Sequence, residues 1–283
     1  MPTRVIRSAP LSTKEQAMTD KPGPLIAIGG HEDKDGKRVI LKAVAERLNG
    51  GRLVVATVAS QNPEPYFEAY QAAFAALGVR DVIELYLDNR GQADDEAMRA
   101  TIADAGGIFF TGGDQLRIAS QIGDTPLETE IHRLHARGGV IAGTSAGASM
   151  QSEVMLVYGS GRETDRIGDV RMAPGLNLIS GVIIDQHFAE RGRIGRLLGA
   201  VAHNPRLLGI GLDEDTAIVV EGRLCTVIGS GGVTIVDAGH VSRSNIAEAR
   251  RDSVLSIHDV VMHVLGAGDR FDLESRRPGH PAE

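Results

Sequence analysis

Short apolar runs alternate with amphipathic stretches through the first half of the chain, and this alternation predicts the fold class. The apolar runs have the length of buried strands and lie at residues 25–28, 53–58, 82–87, 108–110 and 140–142. Between them, apolar residues recur with helical spacing at residues 37–48, 64–77, 94–104 and 127–136. Alternating strands and helices are typical of α/β proteins. We therefore predict a mainly parallel sheet with helices on both faces.

The pattern changes after Gly181, where short apolar runs follow one another closely. These runs lie at residues 182–184, 207–212, 217–220 and 225–228. Their spacing predicts antiparallel strands added to the sheet in the C-terminal third. We also expect a last helix over residues 256–265 and a frayed polar end from Asp269. The predicted organisation is a flexible leader at 1–23, a single α/β domain at 24–268 and a flexible tail at 269–283.

Composition and charge narrow the class of protein. The chain is 42% hydrophobic and has a formal net charge of −7, which is typical of a soluble globular protein. It offers no basic face for nucleic acid and no apolar stretch of the roughly 20 residues that span a bilayer. The single cysteine, Cys225, excludes an internal disulfide, and residues 1–24 lack the apolar core of a secretory signal. We expect a cytoplasmic protein, with a homodimer as one open alternative.

Four polar or glycine-rich segments follow predicted strands. They read GGHEDK at 29–34, GGDQ at 112–115, GTSAG at 143–147 and DQH at 185–187. In open parallel sheets, ligands and reacting groups gather at the carboxyl ends of the strands. We therefore expect the four segments to meet in one site.

The segment at 143–147 has the G-x-S-x-G pattern of a nucleophile elbow. It follows the predicted strand at 140–142 directly, which is the context that the elbow requires. Small flanking residues allow the strand, the following helix and a substrate to approach a strained serine. The pattern predicts Ser145 as a nucleophile. A tight glycine turn with an incidental serine is the alternative.

A serine hydroxyl needs a base to take its proton. The candidates after Ser145 are His187, His203, His240, His258 and His263. His187 comes at the end of a predicted strand, whereas the others lie in helical or turn-like stretches. We predict His187 as the base, against the alternative of a structural histidine.

The histidine in turn needs an acceptor for its second ring N–H. Three acids, Asp213, Glu214 and Asp215, end the predicted strand at 207–212, and the pattern does not choose among them. The resulting order of serine, histidine and acid differs from the order of serine, acid and histidine in α/β-hydrolases. A different family that shares the elbow is therefore indicated.

Six motifs in order resemble the cyanophycinase family. They are the segments at 29–34, 112–115 and 143–148, the DQHF at 185–188, the RGRIGR at 191–196 and the GIGLDE at 209–214, and the resemblance covers about residues 24–268. The family includes peptidase E, and its fold is similar to class I glutamine amidotransferases. The resemblance implies Ser145 as nucleophile, His187 as base and Glu214 as the acid. It also implies an oxyanion hole from the backbone N–H groups of Gly113 and Ala146.

The resemblance also implies a substrate. Cyanophycin has a poly-aspartate backbone with an arginine on each side-chain carboxylate, and the family releases β-aspartyl-arginine dipeptides from it. Residues implied to contact such a substrate are Gln115, Asp185, Gln186, Arg191, Arg193 and Arg196. The three arginines are expected to bind substrate carboxylates, with a solvated helix face as the alternative. Residues 163–170 are a further region that could hold the arginine arm.

Two other functions remain open at this point. The first is a dipeptidase similar to peptidase E that acts on aspartyl or isoaspartyl peptides. The second is a non-catalytic, amidotransferase-like binding protein. No cofactor is implied, and we predict no metal site, because His132 and His135 lack further ligands nearby. We expect Cys225 to pack in the core.

Overall fold

The structure, a computed structural model, describes residues 21–158, 170–250 and 253–279. Nearly all of the predicted leader, residues 1–20, therefore lies outside the described part of the chain. Among the described residues, no helix has both the length and the apolar character needed to cross a lipid bilayer.

The larger of two main sheets has nine strands. Five parallel strands form one half of it, in the order β1, β5, β4, β2 and β3 from the centre outward. They are β1 (Leu25–Ile28), β2 (Arg52–Ala56), β3 (Val82–Leu85), β4 (Ala105–Phe110) and β5 (Val140–Thr144). Antiparallel strands extend the sheet beyond β1, in the order β10, β11, β16 and β17. They are β10 (Thr216–Glu221), β11 (Leu224–Gly229), β16 (Arg270–Asp272) and β17 (Arg277–Gly279).

Helices cover both faces of the parallel half, because successive side chains of each strand point to opposite faces. In β2, for example, Leu53 and Val55 pack with α1 (Val39–Arg47) and α2 (Glu64–Ala76). Val54 and Ala56 face the other side. That side is covered by α3 (Glu96–Ala103), α4 (Gln115–Ile122) and α5 (Pro126–Ala136), and a 3-10 helix (Arg90–Asp94) precedes α3. The predicted α/β class with a mainly parallel sheet is confirmed.

A second sheet of six strands was not anticipated from the sequence. Its order is β15, β12, β9, β8, β6 and β7, and β8 runs parallel to both neighbours. The strands are β6 (Ser152–Tyr158), β7 (Arg171–Pro174), β8 (Ile179–Gln186), β9 (Leu208–Leu212), β12 (Val233–Asp237) and β15 (Val261–Leu265). Helix α7 (Ile194–His203) packs on β9, and a short pair, β13 (Arg243–Ser244) and β14 (Ile257–His258), follows β12. The antiparallel strands expected after Gly181 are thus divided between two sheets.

Two predictions about the C-terminal region are wrong. Residues 256–265 form β14 and β15 in place of a helix, because β15 finds a complete antiparallel partner in β12 and is rich in β-branched valine. Residues 270–279 of the polar end are also part of the fold, since β16 and β17 pair with each other and β16 pairs with β11, whereas residues 280–283 lie outside the described part of the chain. Phe271 of β16 is fully buried in the main core, which explains why this end is held.

This packing predicts a large stability cost for Phe271→Ala. Removing a fully buried aromatic ring leaves a cavity, and the free energy of unfolding should fall by about 3–5 kcal/mol. The matched control is Val264→Ala on the neighbouring edge strand, because Val264 is 70% exposed and its loss should change stability by less than about 0.5 kcal/mol. Urea unfolding measures both. Equal urea midpoints for the two variants would mean that residues 270–279 do not pack on the core.

Candidate active site

The site lies where strands of the two sheets end beside each other. Ser145 follows β5 of the larger sheet, whereas His187 and Glu214 follow β8 and β9 of the smaller one. The loop after β1 joins them through backbone hydrogen bonds. His187 N donates to Gly29 O at 2.9 Å, and Asp215 N donates to Gly30 O at 2.8 Å. The segments at 29–34, 143–147 and 185–187 therefore meet, as their positions after strands predict.

Ser145 has the strained backbone of a nucleophile elbow. Its φ is 52° and its ψ is −110°, a conformation that a residue with a side chain rarely adopts. The flanking glycines make this turn possible. A β-carbon at Gly143 would lie 2.1 Å from Gly147 O, and one at Gly147 would lie 2.3 Å from Phe110 O. The turn therefore presents the Ser145 hydroxyl at the start of α6 (Ala146–Ser149).

The three predicted catalytic side chains form a continuous hydrogen-bonded chain. Ser145 Oγ lies 3.0 Å from His187 Nε2, and His187 Nδ1 lies 2.6 Å from Glu214 Oε1. A carboxylate can only accept, so the imidazole proton lies on Nδ1 and Nε2 is free to accept from the serine. This is the arrangement that a serine nucleophile requires of its base.

The two neighbouring acids are engaged elsewhere. Asp213 accepts the backbone N–H groups of Ala189 and Gly232, each at 3.0 Å. Asp215 accepts from Asp33 N at 2.9 Å and from Ser230 Oγ at 2.7 Å. Both side chains hold loops together. The sequence pattern could not choose among the three acids. Among the described hydrogen bonds, Glu214 is the one of the three that contacts His187.

The surroundings of His187 favour its neutral form. Burial lowers the pKa of His187 below its usual value, and the positive charge of Arg191 lowers it further, against the opposing effect of Glu214. A neutral imidazole at neutral pH is the form that can accept the serine proton.

Gly30 leaves room for the imidazole ring. Its φ is 111°, and a β-carbon there would lie 2.3 Å from Cε1 and 2.7 Å from Nε2 of His187. His187 itself has a φ of 48°, so its backbone also lies in the left-handed region. The position of the base thus depends on a glycine that is far away in the sequence.

The glycine loop after β4 lies against the nucleophile. A β-carbon at Gly112 would lie 3.5 Å from Ser145 Cβ, and Gly113 has a φ of 143°. Asp114 N donates to Ala59 O at 2.9 Å, which fixes the loop. Within the described part of the chain, no hydrogen bond uses the backbone N–H of Gly113 or Ala146. Both donors are therefore free for a substrate oxygen.

Three of the residues predicted to contact substrate are buried in an ion cluster. Asp185 is fully buried, and its Oδ2 accepts from Arg196 Nε at 2.6 Å. Its Oδ1 accepts from Arg196 Nη2 and, at 3.2 Å, from Arg193 Nη1. Arg193 and Arg196 are only 9% and 6% exposed. The expectation that these two arginines face the cleft is corrected, because the carboxylate of Asp185 needs their charges in the interior.

Of the other predicted contact residues, Gln115 and Arg191 lie nearer the surface, whereas Gln186 is buried. Gln115 is partly exposed, and its Nε2 donates to Leu156 O at 2.7 Å. Gln186 is largely buried, and its Oε1 accepts from Arg193 at 2.8 Å. Arg191 alone of the three arginines is exposed, close enough to His187 for its charge to act on the ring. Most of the segment at 163–170 lies outside the described residues.

Sequence reasoning missed a network behind the nucleophile. The carboxylate of Glu32 is buried and accepts from Thr144 Oγ1 at 2.6 Å, from the Tyr70 hydroxyl, and from Lys34 Nζ at 3.0 Å. Burial raises the pKa of Tyr70 well above its usual value, so the hydroxyl keeps its proton and donates. Because Thr144 precedes Ser145, this network fixes the start of the elbow. The signal was present in the GGHEDK segment, where the acid follows a buried strand.

His31 also borders the triad without having been singled out. Its ring packs edge-on against the His187 ring at a centroid distance of 5.3 Å, and its Nε2 lies 3.8 Å from Glu214 Oε1. His31, His187 and Glu214 each offer an atom that could ligate a metal within 4.8 Å of the others. In this structure His187 Nδ1 and Glu214 are hydrogen bonded to each other, which is the arrangement of a proton-transfer chain.

An α/β sheet with a nucleophile elbow and an aligned base and acid is typical of serine hydrolases. Residues 25–228 match the model of peptidase family S51. The chain therefore belongs to peptidase family S51.

Similar proteins agree with this assignment. The chain is 39% identical over 282 residues to the cyanophycinase of Trichormus variabilis, covering 98% of this chain and 93% of the relative. It is 36% identical over 276 residues to that of Synechococcus elongatus, covering 96% and 85%. The crystal structure of a peptidase from an acI-B1 Actinobacterium superposes with a TM-score of 0.67 at 22% identity, covering 89% and 98%. At that identity the likeness shows the fold alone.

The packing of Gly30 predicts that Gly30→Ala lowers kcat by about a hundredfold. The new methyl group must displace the His187 ring, and a misplacement of about 1 Å has an effect of that size. The matched control is Gly50→Ala, since Gly50 also has a positive φ, 78°, but open space around its Cα. Turnover of a peptide substrate and thermal unfolding measure activity and strain separately. Equal losses of kcat in both variants would show that backbone strain alone is responsible.

The charge of Arg191 predicts a pH effect. Arg191 disfavours the imidazolium, so Arg191→Gln should raise the pKa of His187 and move the acid limb of kcat/KM to higher pH. Arg191→Lys retains the positive charge and should leave the limb near that of the wild type. Initial rates across about pH 5–8 bracket the usual histidine range. An acid limb unmoved by either substitution would mean that Arg191 does not act on the titrating base.

Proposed function

We propose that this serine peptidase hydrolyses cyanophycin and releases β-aspartyl-arginine dipeptides through an acyl-enzyme. The observation that carries the mechanism is the continuous chain from Ser145 Oγ through His187 to Glu214, at 3.0 Å and 2.6 Å. The substrate is supported by relatives that bear the name cyanophycinase and cover nearly the whole chain.

In the first half-reaction, Ser145 Oγ attacks the carbonyl carbon of the scissile amide while His187 Nε2 takes the hydroxyl proton. Glu214 holds the imidazole through Nδ1–H and stabilises the imidazolium. The N–H groups of Gly113 and Ala146 donate to the oxygen that becomes negative. His187 then gives its proton to the leaving amine, and the C–N bond breaks.

In the second half-reaction, a water molecule attacks the ester of the acyl-enzyme. His187 takes a proton from the water, a second tetrahedral intermediate forms, and its collapse returns the proton to Ser145 Oγ. The carboxylic acid product leaves, and no proton or electron is left over.

Substrate contacts are assigned to the exposed residues of the predicted set. In this proposal the exposed Arg191 binds a substrate carboxylate, and Gln115 contacts the substrate beside the oxyanion loop. Asp185, Arg193 and Arg196 act as positioning residues, because both guanidinium groups are paired with the buried Asp185 carboxylate at the end of β8. Gln186 is held by the same cluster and supports the segment that carries His187.

The burial of two arginines bears on the alternative function. The arginine run favoured cyanophycin over the short aspartyl peptides of a peptidase E-like enzyme, but only Arg191 remains exposed. The run therefore no longer separates the two substrates. The full-length identity to proteins named cyanophycinase does favour cyanophycin. The aligned triad argues against a non-catalytic binding protein.

The deciding experiment is digestion of purified cyanophycin, with the products identified by mass. The wild type should release β-aspartyl-arginine, and Ser145→Ala should lose nearly all turnover, because covalent catalysis disappears with one hydroxyl. A short aspartyl dipeptide without arginine is the parallel substrate. Hydrolysis of the dipeptide alone would favour the peptidase E-like function, and turnover by Ser145→Ala near that of the wild type would exclude this nucleophile.

A further inference from the structure

Glu32 places a buried carboxylate behind the nucleophile elbow, and the catalytic chain does not use it. Its side chain is only 1% exposed. Its Oε2 accepts from Thr144 Oγ1 at 2.6 Å, and its Oε1 accepts from the Tyr70 hydroxyl and lies 3.0 Å from Lys34 Nζ. Burying a carboxylate is costly unless it is paired and hydrogen bonded, so this charge depends on all three contacts.

Thr144 is the contact that connects this carboxylate to the nucleophile. It is the last residue of β5, is only 3% exposed and directly precedes Ser145. The backbone of the turn is also attached to β1, because Ser145 N donates to Ile28 O at 2.9 Å. The Thr144 hydroxyl therefore adds a side-chain contact between the start of the elbow and the loop that follows β1.

A buried amide holds the other side of the turn. Gln151 is fully buried, and its Nε2 donates to Gly147 O at 3.2 Å and to Ile26 O at 3.1 Å. Both sides of the elbow are thus attached to β1 or to the loop after it. The backbone conformation of Ser145 persists only where neighbouring structure holds it, so losing one attachment allows the turn to relax.

We propose that Glu32 is a positioning residue for the nucleophile and acts through the hydroxyl of Thr144. Among the residues that the structure describes, no hydrogen bond joins Glu32 to Ser145 or His187, so its effect on the reaction passes through the elbow. A displacement of about 1 Å at a reacting group lowers a rate about a hundredfold. The inference rests on the proposed role of Ser145 and holds for any substrate that Ser145 attacks.

Thr144→Val tests this contact, because valine keeps the branched shape and removes the hydroxyl. The rate constant for labelling of Ser145 by a fluorophosphonate reagent, expressed per folded molecule, should fall about ten- to a hundredfold. With cyanophycin, kcat should fall by a similar factor while KM changes less than about twofold, since the contact lies behind the turn. Thr144→Ser retains the hydroxyl and should recover most of both rates.

The matched control is Thr57→Val. Thr57 is fully buried just after β2, and its hydroxyl donates to Glu84 Oε1 at 2.6 Å, the same length as the Thr144 contact. Strand β4 separates β2 from β5 in the sheet, so this second hydrogen bond lies away from the elbow. Thermal unfolding of both valine variants measures the structural contribution of each hydroxyl. Labelling of Ser145 should stay close to the wild-type rate in Thr57→Val.

Glu32→Asp tests the same contact from the carboxylate side. Aspartate keeps the negative charge, but its side chain is one methylene group shorter and draws the carboxylate away from Thr144. Labelling of Ser145 should slow as it does in Thr144→Val. This variant also measures the contact if the valine variant does not fold.

The outcomes separate this inference from the proposed nucleophile. Slow labelling in Thr144→Val and Glu32→Asp, restored in Thr144→Ser, supports Glu32 as a positioning residue. Labelling at the wild-type rate in either folded variant, or an equal loss in Thr57→Val, overturns the inference and leaves the nucleophile in place. If the wild type is labelled no faster than Ser145→Ala, the proposed nucleophile is wrong, and the inference is wrong with it.

Discussion

The backbone hydrogen bonds of the loop after β1 are the constraint on which the rest of the site depends. Ser145 comes from one sheet, and His187 and Glu214 come from the other, so their alignment requires the two sheets to be held in register. Gly29 O and Gly30 O accept from His187 N and Asp215 N, and Ser145 N donates to Ile28 O at 2.9 Å. The end of β1 and the loop after it therefore contact the backbone of all three functional segments. Glycine is required at both positions of the loop, because a side chain there would collide with the segments that the loop binds.

The strained backbone of Ser145 is held in place by the interactions around it. Conformations such as that of Ser145 cost of the order of 1–3 kcal/mol and persist only when neighbouring structure holds them. Here the close contacts of Gly143 and Gly147 shape the turn, and the buried carboxylate of Glu32 binds Thr144 just before it. Lys34 and Tyr70 satisfy the same carboxylate, so the buried charge is paired and hydrogen bonded.

Charge is arranged in two layers around His187. A buried cluster pairs Asp185 of β8 with Arg193 and Arg196, and removing Asp185 would leave the charges of both arginines without this carboxylate. At the surface, Arg191 and Glu214 act on the imidazole in opposite directions. Burial and Arg191 favour the neutral form of His187, whereas Glu214 favours its cation.

The sequence by itself determined the local features of this protein. Apolar periodicity predicted the five parallel strands and the helices α1, α2, α3 and α5, and the small residues around Ser145 marked the elbow, because both signals are confined to a few neighbouring residues. Only the tertiary structure decided which acid faces His187, since Asp213, Glu214 and Asp215 differ in their partners and hardly at all in their local pattern. The tertiary structure also buries Arg193 and Arg196 and pairs them with Asp185, because this pairing depends on how α7 packs against β8. The second sheet and the strands at the C-terminal end also depend on tertiary structure, because these short strands form only by pairing with distant strands such as β11 and β12.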